Sequence, residues 1–338
     1  MKRIPKLILM LAVLVAVAAL GPASSAMADS LVGAGSTLLA PLEAQWANDY
    51  HHRTGVSVTY GAVGSGAGIA QISARTVDFG ASDAPMTPDQ ASGCNGCVQI
   101  PWALTATGVA FHLDGVRSLK LSGPIVAKIY LGQITKWNDK RIRKLNRGVH
   151  LPGTKITPVF RSDGSGDTYA FTDYLSGVSS SWKHRIGRAT AVSFPAGVGG
   201  RGNDGVTAIV ASTNGSIGYI SASYIIAHAL KVAALQNAAG KFVYPNLSNI
   251  SAAASVVKRV PSNNEMHIVN SPKSIPNAYP LSTFTYVIVP KSSSKASALG
   301  RFILYAMNAG QRFGAALDFA PIPRVVYQAG IRTVHSLS

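Results

Sequence analysis

The chain has 338 residues, with 31 Lys and Arg against 14 Asp and Glu and a formal charge of +17. That is long for a single hydrophobic core and comfortable for two domains. The basic balance suits anionic partners, but a nucleic-acid module is excluded: the basic residues are scattered, apart from Lys136 to Arg147, whose interspersed Ile142 and Leu145 mark a solvated helix.

The chain opens with Met1 to Lys6, an apolar run from Leu7 to Leu20 and Ala26-Met27-Ala28, the three regions of a secretory signal peptide. This run is shorter than the about 20 apolar residues of a membrane anchor, and no later run reaches that length. No cysteine follows the leader to carry a lipid. Cleavage after Ala28 would leave 310 residues starting at Asp29. Three basic residues leave with the leader, so 28 remain against 14 acids, a formal charge of +14. The expectation is an exported, soluble protein.

Leu31-Val32 begins a short strand, followed by a small-residue turn over Gly33 to Leu38. Leu42, Trp46 and Tyr50 then share one face of a helix that Gly55 ends. Val56 to Tyr60 alternates as a strand. Gly61 to Gly68 is a glycine-rich turn ahead of a helix starting at Ile69, and it lacks the lysine that a phosphate-binding nucleotide loop requires. Val77 to Gly80 reads as a short buried strand, which puts Asp83 just past a strand's carboxyl end, where α/β folds place ligands. Cys94-Asn95-Gly96-Cys97 reads as a structural disulfide in an exported chain. Redox use of a C-x-x-C pair is the alternative, but such pairs open a helix after a strand, and this one sits in loop-like sequence.

Val98 to Leu113 is sheet-like, Leu119 to Leu131 reads as a helix or helix pair, and Ile134 to Asp139 as a turn with a packed Trp137. Ile156 to Phe160 is a strand feeding the turn Arg161-Ser162-Asp163-Gly164-Ser165-Gly166-Asp167-Thr168, with a helix from Tyr169 to Leu175 after it. Ser180 to Arg188 is helix or loop. Phe194-Pro195 starts a segment ending in Gly199 to Gly205, and a helix with Val206, Ile209 and Val210 follows. Ile217 to Ile220 is a strand and Tyr224 to Ala234 a helix. Lys241 to Asn270 is the least regular part. Thr285 to Val289 is the strongest strand signal, Ala298 to Gly310 an amphipathic helix and Ala329 to Val334 a closing helix. Strands alternate with helices throughout, so the class is α/β.

Four turns, at 35–38, 64–68, 82–83 and 161–168, offer hydroxyls or free backbone N–H groups. Gly164 and Gly166 permit a close approach, and Arg161 offers a fork of donors that matches two oxygens. There is no G-x-S-x-G elbow, and the eight histidines form no metal motif. Such a cage fits holding an oxyanion better than cleaving one, so no catalytic residue, metal or cofactor is expected.

Gly33 to Leu38, Thr76 to Pro85, Tyr130 to Asp139 and Arg161 to Gly166 resemble the periplasmic phosphate-binding protein of bacterial ABC phosphate importers. Gly199 to Gly205 and Gly218-Tyr219 match it as well, so the resemblance covers the mature chain in family order. It implies two α/β lobes closing on one phosphate, a class II periplasmic binding protein fold. The signal peptide would be 1–28, the first lobe 29–107 plus 280–338, and the second lobe 108–279, with crossings near Ala106 to Ala110 and Pro276 to Leu281.

The ligand-facing positions it implies are Thr37, Leu38 through its N–H, Ser65, Asp83, Arg161, Ser165, Gly166 through its N–H, and position 167, with Asp163 and Asn203 in support. Family members usually carry Thr at that last position. Here either Asp167 faces the ligand as a second proton acceptor, or it caps the following helix and Thr168 supplies the hydroxyl. The cap is the expectation, because aspartate is common at a helix start. The Cys94–Cys97 pair is a local addition to the family pattern. The implied protein is a monomeric periplasmic receptor that delivers inorganic phosphate to inner-membrane ABC permease subunits, without nucleic acid and without catalysis. A receptor for sulfate or molybdate, or a secreted phosphatase, is the alternative.

Overall fold

The computed structural model describes residues 30–338. The leader and its cleavage point at Ala28 lie outside the described residues. The first half-sheet is built by β1 (Ser30–Gly35), α1 (Ala40–Thr54), β2 (Ser57–Ala62), α2 (Ser65–Ser73) and β3 (Phe79–Ser82). α1 buries Leu42, Trp46 and Tyr50 and ends at Gly55 in the left-handed region, as their spacing requires. β3 lies two residues later than its apolar run suggests, because Gly80 and Ala81 pair with Ala34 and Gly35 of β1. A short capped helix, α3 (Pro88–Gly93), leads to the Cys94–Cys97 disulfide.

β4 (Cys97–His112) is one 16-residue strand. Its first part, Cys97 to Ala106, pairs antiparallel with β12 (Ser282–Pro290), and its second part, Thr107 to His112, with β8 (Ser216–Ser221). One strand therefore serves both halves of the sheet. Then come β5 (Lys120–Leu121), α4 (Gly123–Tyr130), α5 (Lys140–Leu145), β6 (Thr157–Arg161), α6 (Gly166–Val178) and α7 (Ser180–Arg185). They are followed by β7 (Val198–Gly200), α8 (Gly202–Ser212), β8 (Ser216–Ser221), α9 (Ala222–Ala227), β9 (Lys231–Val232), β10 (Ala234–Gln236), β11 (Phe242–Val243) and α10 (Leu247–Ala254). The chain finishes with β12 (Ser282–Pro290), α11 (Ala296–Met307) and α12 (Arg324–Val334). The large sheet runs β2-β1-β3-β12-β4-β8-β6-β7, with β9 also on β4, and a small sheet runs β11-β10-β5.

Three stretches differ from their sequence patterns. The helix expected from Tyr224 to Ala234 stops at Ala227: Ala229 takes a positive φ of 49°, and the chain then pairs β9 with β4 and β10 with β5. Lys120-Leu121 is likewise claimed by that small sheet, and the helix after it begins only at Gly123. The basic stretch is helical only over Lys140–Leu145, since Asp139 caps it by accepting from the Arg141 N–H and Lys136 bridges to Lys155.

Two lobes result. The first packs Trp46, Phe79, Trp102 and Phe302 in one cluster. The second packs Phe111, Tyr130, Trp137, Phe171, Trp182 and Tyr219. Fully burying a Phe-sized side chain contributes about 1.5–3 kcal/mol, so each lobe has its own source of stability. The carboxyl ends of β1 and β3 from one lobe face those of β6 and β7 from the other, and α1, α2, α6 and α8 begin at this cleft. Backbone and side chains meet across it. The Gly66 N–H donates to the Gly164 carbonyl at 3.0 Å, and Asn203 Nδ2 donates to Thr37 Oγ1 at 2.9 Å.

Candidate functional site

Asp83 follows β3 directly and is 1% exposed. Every side chain that donates to it is a neutral hydroxyl. Ser36 Oγ reaches both carboxylate oxygens, at 2.7 and 2.6 Å, Thr285 Oγ1 reaches Oδ1 at 2.9 Å, and Ser65 Oγ reaches Oδ2 at 3.3 Å. Burial pushes the Asp83 carboxyl up to about 7, and the nearby charge of Asp167 acts the same way. The hydroxyl bonds and Arg161 oppose this without reversing it.

Arg161 ends β6 and is 4% exposed. Its Nε and Nη2 both engage Asp163, with Nε at 2.8 Å, and its Nη1 donates to Asp167 Oδ2 at 3.0 Å. Burial raises the Asp163 carboxyl, but the bonds and charge of Arg161 and the Gly202 N–H outweigh it and hold the group below the usual range. The Arg161 N–H donates to the Tyr219 hydroxyl at 2.9 Å, which fixes the root of the side chain.

Asp167 does not cap α6, contrary to expectation. The cap is Ser165, whose Oγ accepts from the Thr168 N–H at 3.3 Å. Asp167 lies in the first turn and turns into the cleft, 0% exposed. There its carboxylate accepts from Thr107 Oγ1 at 2.6 Å, Arg161 Nη1 at 3.0 Å and Asn203 Nδ2 at 2.8 Å. Burial raises its carboxyl against the pull of these donors. Thr168 is turned away: its hydroxyl meets Tyr219 at 2.8 Å.

The two lobes approach most tightly at glycines. A Cβ on Gly166 would sit 2.4 Å from Asp83 Cβ, so only glycine lets the start of α6 come this close. Gly64, with a φ of 95°, is backed in the same way by Asp163 Oδ2. The Gly166 N–H donates to Ser65 Oγ at 3.1 Å. Thr37 Oγ1 accepts from Asn203, whose own Oδ1 takes the Ser221 N–H at 2.8 Å. Thr37, Ser65, Asp83, Arg161, Gly166, Asp167, Asp163 and Asn203 are thus linked around the cleft, while Ser165 caps α6 beside Gly166 and Leu38 lies in the turn between β1 and α1. Thr168 belongs to the layer behind.

Ser36, Thr107 and Thr285 also belong to the cluster, and sequence reasoning missed them. Ser36 stood beside Thr37 in a turn already marked for its hydroxyls. Thr107 and Thr285 lie in strands, where threonine reads as an ordinary β-former. A threonine inside an otherwise apolar buried run was the available signal.

A surface hollow of about 580 Å³ competes as a site, lined by residues including Asp173, Lys183, Arg188 and His267. Its one buried carboxylate, Asp173, is paired with Arg188 and His267, and no comparable set of hydroxyls surrounds it. Among the described residues no group of His, Cys, Asp and Glu is placed to hold a metal ion. No helix among them is long and apolar enough to cross a membrane.

Two α/β lobes that bring strand ends and helix starts around buried donors define a binding protein of the two-lobed periplasmic type. Residues 21–309 match the PBP superfamily domain. The chain is 40% identical over 296 residues to the phosphate-binding protein PstS of Xylella fastidiosa, covering 86% of this chain and 81% of that one. It is 38% identical over 311 residues to PstS of Pasteurella multocida, covering 90% of each. The chain belongs to the PstS family of phosphate-binding proteins. A solved phosphate-binding protein from Stenotrophomonas maltophilia shares the fold, with a TM-score of 0.69 at 18% identity over 90% of this chain and 94% of that one.

Proposed function

We propose that this protein binds inorganic phosphate in the periplasm and delivers it to the permease subunits of an ABC importer, as a monomer and without chemistry. Asp83 carries the reading. An ionised carboxylate can only accept hydrogen bonds, so a buried one at the centre of a cage selects a tetrahedral anion that still carries a proton. Phosphate does near neutral pH, and sulfate does not. Thr37, Ser65 and Ser165, the Gly166 and Leu38 N–H groups and Arg161 supply donors for the remaining oxygens. The starts of α1, α2, α6 and α8 add the positive ends of their dipoles. Asp163 and Asn203 hold Arg161 and Thr37 in place.

The lobe boundaries in this reading are 29–107 plus 280–338 for the first and 108–279 for the second. The change of partner along β4 between Ala106 and Thr107 supports the first crossing. The relatives are phosphate-binding proteins, which supports binding over a phosphatase reading. Native mass spectrometry of the purified mature protein tests the reading. Retained phosphate is the expected result, together with no release of product from a phosphomonoester. Turnover of the ester, or a protein that neither retains nor takes up phosphate, would overturn it.

A further inference from the structure

The cleft holds more negative charge than an anion receptor needs. Asp163 and Asp167 are both bonded to Arg161, the only cation bonded to them among the described residues, and Asp83 feels its charge without bonding to it. Its fork is shared between Asp163 and Asp167. The other titratable groups facing the pair are tyrosines: Tyr219 of β8, Tyr224 of α9 and, beside Asp83, Tyr60 of β2. Glu43 of α1 faces Tyr60 from behind. Thr107 of β4 and Asn203 of α8 complete the surroundings of Asp167 and are neutral.

Resting on the phosphate reading, we infer that Asp167 is a second proton acceptor that makes the site selective for dihydrogen phosphate, so that binding takes up a proton from solvent. Each carboxylate facing the ligand needs a proton between itself and a phosphate oxygen. Hydrogen phosphate brings one, which satisfies Asp83. A second acceptor in the same cage needs one more, which dihydrogen phosphate carries, and the balance is hydrogen phosphate plus one proton plus the site. Without that proton a dianion would enter a pocket holding three carboxylates and one guanidinium. Three donors fill three of the about four lone-pair positions of the Asp167 carboxylate, which leaves one for the ligand. Gly166 brings the two acceptors together, since its Cα packs against the Asp83 side chain immediately before Asp167. Burial raises both carboxyls, in the direction that a gained proton requires.

The test is calorimetry of the mature protein with inorganic phosphate at about pH 8, in buffers of different ionisation enthalpy. The expected result is about one proton taken up per phosphate, with affinity falling roughly tenfold for each pH unit above neutrality. Asp167→Asn should bring uptake close to zero and flatten that profile. Should the variant fail to fold, the proton count of the unaltered protein still decides. Phosphate binding with no proton uptake and a flat profile would overturn the inference while leaving the phosphate reading intact. No phosphate binding at any pH from about 5 to 9 would overturn the phosphate reading itself.

Discussion

The two walls of the cleft treat a buried carboxylate in opposite ways. On the first-lobe wall Asp83 meets hydroxyls alone, and burial wins: its carboxyl rises to about 7. On the second-lobe wall Asp163 meets Arg161 through two nitrogens, and its carboxyl falls below the ordinary range. Neutral donors satisfy a carboxylate's lone pairs without supplying the opposite charge that would keep it ionised, whereas a guanidinium supplies both. The first wall is therefore able to exchange a proton with a ligand, and the second is a fixed ion pair that holds the arginine. Asp167 lies between these cases, bonded to the guanidinium and still raised by burial.

The largest expected effect comes from breaking the second wall. Arg161→Met leaves Asp163 and Asp167 without their cation, and removing one partner of a buried pair costs about 3–5 kcal/mol. Urea unfolding should show that loss, and phosphate binding should vanish. A variant with native stability would mean that the ion pair does not hold this wall.

Behind the first wall, burial acts alone on Glu43, which has its Oε1 unpartnered and its carboxyl pushed up to about 8. Its folded pKa lies above its unfolded one, so the unfolded state loses its proton first as pH rises. Stability is then full below about pH 4.5, falls between about 4.5 and 8, and stays lower above that. The loss amounts to a few kcal/mol at most. Glu43→Gln should remove that slope and be the more stable protein at about pH 8. Parallel slopes for the two proteins would rule this out.

A change outside both walls gives the control. Replacing Cys94 and Cys97 with serine opens a bridge between residues three apart and should cost roughly 2 kcal/mol or less. Arg75, which donates to the Cys94 and Asn95 carbonyls at 2.9 Å each, holds the loop independently. Phosphate affinity should not change in calorimetry, and a loss would tie the loop to the cleft. The mildest expected change in the cleft is Arg161→Lys, which keeps the charge and loses the fork. Phosphate binding should weaken by at least roughly tenfold, about 1.4 kcal/mol. Unchanged affinity would take Arg161 out of the site.

Much of this was readable from the residues. Small-residue turns after short strands put Thr37, Ser65, Asp83 and the 161–168 turn in the cleft, because those turns are where strand ends and helix starts meet. The order of elements fared worse where a partner distant in sequence decides. Lys231-Val232 and Ala234 look like the end of a helix among their alanines, yet they are drawn into strands by β4 and β5. The direction of Asp167 was equally hidden. Aspartate at a helix start suggests a cap, but Ser165 takes that role two residues earlier, and the donors that turn Asp167 inward come from residues 107, 161 and 203. Thr285 reaches Asp83 across 202 positions of sequence, which no local pattern reports.

The central claim is that Asp83 makes the cage selective for an anion carrying a proton, and a competition titration tests it most directly. At about pH 8, where Asp83 is ionised, phosphate should bind the mature protein while sulfate in large excess fails to displace it, with a difference on the order of a thousandfold, because sulfate would set its oxygens against a buried carboxylate with no proton between them and no cation bonded to it. Asp83→Asn should narrow that gap. Tight sulfate binding by the unaltered protein would contradict the account and leave a general oxyanion receptor in its place.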